Sequence, residues 1–243
     1  MRTVFPIPLG EASSFEPDLA RRTARAAATA ATAAGLHWTF APTVDVARDQ
    51  RWGRVAEAAG EDVFLSCAFS AARVQGFQGD DLTAADSLLT TPKHFAAYGA
   101  VAAGMEYAQV DISPQTLHDV HLPPFRAALD AGARALMSAF NDINGVPASA
   151  NRWLLTDLLR GQWGFDGVVV SDYTADMELI AHGYAAGEVD ATAKAFSAGL
   201  DLSMQSGFYA AHLPVLVESG QVPMSLLDQS VRRILRLKET IGL

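Results

Sequence analysis

Cys67 is the only cysteine in 243 residues. No intrachain disulfide can form, and a closed zinc site built from several thiolates is excluded. Positive charge is also scarce. The chain has 18 Lys and Arg against 27 Asp and Glu, a formal net charge of −9. Nucleic acid is therefore not an expected partner, and a neutral or small polar ligand fits the balance better. Long hydrophobic runs are missing. The most Ala-rich stretch, residues 26–35, is too short to span a bilayer and follows Arg22 and Arg25. Residues 1–10 hold two prolines and no apolar core of signal-peptide length, so neither a membrane segment nor a targeting signal is read. A glycine-rich dinucleotide fingerprint is absent, and neither Ser138 nor Ser171 lies in a Gly-x-Ser-x-Gly setting. A Rossmann-type cofactor site and a serine-hydrolase nucleophile both lose their basis.

What is present is an ordinary globular balance, 50% hydrophobic and 19% charged, able to bury a substantial core. The whole chain, residues 1–243, reads as one α/β domain. An apolar run followed by an amphipathic helix recurs along it, as in parallel α/β architecture. Residues 36–46, 88–95, 133–140, 167–172 and 199–204 read as strands, with a sixth candidate at 3–6. Helices are expected at 17–34, where Pro17 favours the start, from about Glu61, and at 224–238.

The strand ends carry the chemistry. The first four runs finish on Asp45, on Lys93 and His94, on Asn141 and on Asp172. In a (β/α)₈ barrel the C-terminal ends of the strands build the active site. Four polar endings in succession favour a fold of the (β/α)₈ TIM-barrel type over an open doubly wound sheet. Five or six strands are fewer than eight, and residues 48–60 are spent on a long connection. The barrel is therefore expected to be incomplete in this chain, with N-terminal units missing.

Each candidate has two readings. Asp172 is a nucleophile held rigidly at a strand end, or a cap for the following helix. Lys93 and His94 donate to ligand hydroxyls, or form an ion pair and a satisfied buried histidine. Arg51 and Arg54 grip vicinal hydroxyls, or pin a surface loop through carboxylates, and Trp52 between them reads as packing. His118 and His121 are spaced for a metal, but no third ligand joins them, so they are read as surface or helix-end residues with Pro123 and Pro124 ending the helix.

Five segments, in order, resemble the N-terminal barrel of family 3 glycoside hydrolases of the bacterial periplasmic β-glucosidase type: APTVDVARDQRWGR, GEDVFLSCAFSAARVQGFQG, TPKHFAAYGA, MSAFNDINGVPASANRWLLTDLLRGQWGF and GVVVSDY. The resemblance implies retaining hydrolysis of terminal, non-reducing β-D-glucosyl residues through a covalent glycosyl-aspartate. Asp172 matches the attacking aspartate. Lys93, His94 and Arg54 match the residues that hold the sugar, and Met137 lies beside the pocket. Phe140 stands where many relatives have tyrosine, and Tyr173 where many have tryptophan or histidine.

The same resemblance implies no metal and no organic cofactor, a small β-glucoside or oligosaccharide as partner, and a periplasmic or extracellular location. A retaining enzyme needs a second carboxyl about 5 Å from the first. In two-domain relatives it comes from a second domain, which is expected to be absent here, leaving the chain short at both ends. Tyr98 occupies the position of the hexosaminidase histidine, which disfavours that variant. Glu57, Glu61, Glu106 and Asp111 are acids on candidate loops, none marked by its spacing. The alternatives are a truncated, catalytically impaired sugar-binding barrel, a β-xylosidase or an N-acetylhexosaminidase.

Overall fold

A computed structural model describes residues 3–243 of the chain. A short helix α1 (Pro8–Ala12) and a longer one, α2 (Pro17–Thr32), open it, each with proline in its first turn. There the missing N–H costs no helical hydrogen bond. Residues 3–7 form no strand, contrary to the sequence expectation. Pro6 and Pro8 offer no N–H to a ladder, and α1 begins at once. Helix α3 (Val63–Gln78) starts where the Asp62 carboxylate accepts the Leu65 N–H at 2.7 Å.

Ala20, Ala24 and Ala28 recur every fourth residue and are the buried face of α2. Their small side chains let α3 come close. A Cβ on Gly76 would lie 2.2 Å from the Arg21 carbonyl oxygen and 2.7 Å from Ala24 Cβ, so only glycine fits this crossing. Buried Arg73 then ties α3 to α1 through Glu11, at 2.8 Å, and the Pro8 carbonyl.

Helix α4 (Pro114–Thr116) runs into a wide π turn, Leu117–His121, and then α5 (Pro123–Asp130). Pro123 and Pro124 thus begin a helix rather than only ending one, and His121 is 5% exposed rather than on the surface. The wide turn shifts residue positions away from the 3.6-residue period of a regular helix. Burial drives the His121 pKa down to about 4 from 6.5, with Arg48 adding to the shift and Asp45 opposing it. The folded chain therefore binds fewer protons than the unfolded one between those values, and stability is lost as pH falls through that window. From pH 7 to 4.5, urea unfolding should show about 2–3 kcal/mol less stability from this residue. His121→Gln should lack that share of the loss; an equal loss in the variant would contradict the assignment.

The sheet follows. Strand β1 (Ala135–Met137) is succeeded by the hairpin of β2 (Asp142–Ile143) and β3 (Val146–Pro147), and later by β4 (Val168–Val170). Strands β1 and β4 pair in parallel with Ala135 opposite Val168 and Met137 opposite Val170. Single parallel bridges extend this core: Trp38 with Leu89, Thr43 with Lys93, Phe95 with Ser138, and Val170 with Leu202. The five expected strand segments are thus parallel neighbours in chain order. This is the TIM-barrel type of succession, without the order reversal of a doubly wound sheet. Among the described residues no bridge joins the Trp38 segment to the Leu202 segment, so no barrel closes.

The three valines of β4 are buried on both faces, as in a parallel sheet covered by helices. On one side packs the wide-turn helix Trp153–Gln162, whose Leu154, Leu155 and Leu158 share a core with Phe95, Leu136 and Val169. After α6 (Glu178–Ala181), α7 (Glu188–Ala198) and α8 (Phe208–Glu218), the last helix, α9 (Met224–Thr240), packs Leu237 against Leu89 and Val168 near the strand starts. The other ends of the strands remain available for a site.

Candidate active site

The first, second and fourth strand ends meet at His94. Its wholly buried ring places Nδ1 2.8 Å from Asp45 Oδ2, and the same oxygen accepts the His94 backbone N–H at 3.1 Å. Nε2 lies 3.3 Å from Asp172 Oδ2, close but without hydrogen-bond alignment. Asp45 thereby fixes the ring, and the ring's far edge faces Asp172. Among the described residues Asp45 Oδ1, His94 Nε2 and Asn141 Oδ1 are buried without a hydrogen-bond partner. Interiors rarely tolerate such atoms, and three at adjoining strand ends suit a pocket that receives hydroxyls.

The Asp172 side chain is 14% exposed, and its Oδ1 accepts the Tyr173 N–H at 2.7 Å. It caps no helix, since α6 starts only at Glu178 with Met177 at its N-cap. The loop it opens is held from behind. Met204 donates its N–H to the Ser171 hydroxyl, at 2.7 Å, and its carbonyl accepts from Thr174 N–H at 3.0 Å. Asp176 accepts from the Ser203 and Ser206 hydroxyls at 2.7 and 2.8 Å.

Arg54 grips Glu57 with two bonds, Nε to Oε1 at 2.7 Å and Nη2 to Oε2 at 3.0 Å, and its guanidinium lies 5.6 Å from the Tyr98 ring centre. Burial works against both charges. Arg54 nevertheless titrates above its ordinary value, held there by Glu57 with Asp45 and Glu106. Glu57 is held below its own by Arg54, then Lys93 and His94. These mutual influences place Arg54, Glu57, Lys93, His94 and Asp45 in one electrostatic cluster. The Lys93 ammonium makes no hydrogen bond or ion pair among the described residues, and Lys93 lines a cavity of about 270 Å³ with Thr43, Glu57 and Arg73.

The remaining candidates separate cleanly. Arg51 pairs with Asp49 at 2.7 Å on the surface. Trp52 is 1% exposed and donates its indole N–H to Glu106, so it packs, as the sequence suggested. Met137 is fully buried as the last residue of β1. His118 and His121 join no grouping of three metal-ligating side chains among the described residues. Tyr98 is fully buried and its hydroxyl donates to Glu106; burial, then Glu106, pushes the phenol far above its usual value. That leaves Tyr98 unsuited to the acid role of the histidine it replaces.

Of the loop acids, Glu57 and Glu106 are engaged, while Glu61 and Asp111 are exposed. One acid escaped the sequence reading. Glu178 is half-buried, its carboxyl makes no hydrogen bond or ion pair among the described residues, and its pKa is pushed up to about 7 by burial and then by Asp172 and Asp176. Its only signal was an acid six residues after Asp172 at the start of a helix.

The profile described as "Glycosyl hydrolase family 3 N terminal domain" matches residues 1–237. A protein of Salmonella typhimurium named "Periplasmic beta-glucosidase" is 48% identical over 242 residues, covering 100% of this chain and 32% of that protein. A "Putative beta-xylosidase" of Formosa agariphila is 38% identical, covering 99% of this chain and 32% of its own length. Among solved structures, a mutant beta-glucosidase from Listeria innocua in complex with laminaribiose superimposes with a TM-score of 0.98 at 44% identity, covering 100% of this chain and 34% of that one. The chain thus spans about a third of the length of the relatives it matches. The parallel succession of strands, the Asp45–His94–Asp172 row at their ends and the profile match over nearly the whole sequence agree: this chain belongs to glycosyl hydrolase family 3, within its N-terminal domain.

Proposed function

We propose that the chain acts as the nucleophilic, sugar-holding part of a retaining β-glucosidase that releases terminal, non-reducing β-D-glucosyl residues. The observation that carries this reading is the buried His94 ring, fixed by Asp45 and facing Asp172, with Arg54 and the unengaged Lys93 in the same cluster. Asp172 attacks the anomeric carbon as the bond to the leaving oxygen breaks, giving a glycosyl ester. Water then displaces the carboxylate, with two inversions and net retention. Lys93, His94 and Arg54 donate hydrogen bonds to hydroxyls of the held sugar, and Met137 supports the pocket floor. The leaving oxygen takes its proton from a second carboxyl, and Glu57 and Glu106, both engaged with neighbours, do not supply it. In this reading two carboxyl groups suffice without a metal. The chain works as one domain throughout residues 1–243.

The Salmonella relative's name supports a periplasmic location, and no described helix is long and apolar enough to cross a membrane. The Formosa relative keeps a β-xylosidase reading in view. Initial rates on the dinitrophenyl β-glucoside, β-xyloside and N-acetyl-β-glucosaminide separate the readings, since these leaving groups need little acid assistance. The glucoside is expected to be fastest. Dominant turnover of the xyloside would reject the substrate assignment.

A further inference from the structure

The polar tips of two buried aromatic residues end on one carboxylate. Glu106 Oε1 accepts the indole N–H of Trp52, and Oε2 accepts the hydroxyl of Tyr98. Both oxygens are used, each by a different segment of the chain. Trp52 and Tyr98 are 1% and 0% exposed, whereas Glu106 stands at the surface on the loop that follows Tyr98. An indole N–H and a phenol buried this deeply need an acceptor.

The loop is shaped to bring that acid into place. It turns back on itself where the Met105 and Ala108 N–H groups donate to the carbonyls of Ala102 and Met105. Gly104 within it has a φ of +68°, and a Cβ there would lie 2.5 Å from the Trp52 backbone nitrogen and 2.7 Å from the Arg51 carbonyl carbon. Only glycine lets the two loops approach so closely. The contact falls on the segment that carries Arg54. From Trp52 the chain enters the Arg54 turn directly, and the Val55 N–H bonds back to the Trp52 carbonyl at 3.3 Å.

Tyr98 connects this clamp to the sugar site. Its ring packs edge-on against Trp52, with centres 5.5 Å apart, and against His94 at 5.2 Å. The Arg54 guanidinium lies 5.6 Å from the same ring centre, and the Glu106 charge acts on that guanidinium as well. One ring therefore lies against two of the groups that hold the sugar. Pinning its hydroxyl fixes the tilt of the ring, and with it the surface on which Arg54 rests.

We propose that Glu106 is a positioning residue for the sugar site: by holding Trp52 and Tyr98 together it fixes the seat of Arg54, and so the direction in which that guanidinium meets the sugar. Glu106 touches neither the sugar nor Asp172. Its effect passes through Tyr98 to Arg54. The assignment rests on the β-glucosidase reading of the Asp172 site.

The test is a double-mutant cycle read as kcat/KM on dinitrophenyl β-glucoside. Glu106→Ala removes both acceptors and should lower kcat/KM about tenfold, the scale of one or two lost hydrogen bonds. Glu106→Gln keeps one acceptor oxygen and should lose only about threefold. In an Arg54→Gln background the Glu106→Ala change should lower the rate less than about twofold, because the group through which it acts is gone. Equal losses in the two backgrounds would overturn the positioning role and leave Glu106 as a support for the fold alone. Parent-like rates in both Glu106 variants would overturn it too, and neither result touches the Asp172 reading. A parent chain that shows no turnover and takes no fluoroglucosyl label would overturn the β-glucosidase reading, and the positioning role with it.

Discussion

Asp172→Asn should lower turnover of dinitrophenyl β-glucoside by at least about a thousandfold, the scale seen when an acting nucleophile is removed. The amide is nearly isosteric with the carboxylate, and its oxygen can keep the bond from the Tyr173 N–H. The loop's other supports come from Ser171, Met204 and Asp176 and are untouched. Far-ultraviolet circular dichroism and the melting temperature should therefore stay at the parent values while the rate collapses. What disappears is the lone pair that attacks the anomeric carbon. Comparable activity in the variant would remove Asp172 from the mechanism.

The largest effect on stability should come from Asp201, far from the chemistry. Its side chain is 1% exposed and takes two arginines at 2.7 Å, Arg160 from the helix Trp153–Gln162 and Arg233 from α9. The oxygen facing Arg160 also accepts the Val169 N–H at 2.9 Å. One carboxylate thus ties two helices to the central strand. Asp201→Ala leaves two mostly buried guanidinium groups without their partner, and losing one side of a buried pair costs about 3–5 kcal/mol. Urea unfolding should show the unfolding free energy lowered by that amount, through a lower midpoint with little change in slope. A loss below about 1 kcal/mol would mean that water replaces the carboxylate at no great cost, contrary to the burial of the pair.

The parts of this fold legible in the sequence are those whose signal is local. Continuous apolar runs such as the valines of β4 reveal buried parallel strands because both faces are covered. Their polar last residues reveal the site because a barrel presents strand ends to one side. Residues 3–6 were misread since they are short and apolar, while Pro6 and Pro8 argue against a ladder. His121 stands at the end of the π turn, as a helix-end residue, but it is buried rather than on the surface.

What pattern cannot reach is pairing across distance. Asp45 and His94 stand 49 residues apart, and nothing in either strand names the other. Tyr107 and Glu178 converge on one cavity only once the loop before β2 and α6 have folded beside the same strand ends. The engagement of Glu57 with Arg54 at a spacing of three is visible in principle, but it rests on a single 3₁₀ turn, Val55–Glu57, too short to leave a periodic signal. Trp52, by contrast, was read as packing, and its 1% exposure agrees.

The central claim is that Asp172 forms a covalent bond to glucose, and trapping that bond tests it most directly. The chain is incubated with dinitrophenyl 2-deoxy-2-fluoro-β-glucoside, whose activated leaving group needs little acid assistance, then weighed intact and mapped by peptide mass spectrometry. The account predicts one added fluoroglucosyl group, carried by the peptide that contains Asp172. A label on any other residue, or none, would contradict it.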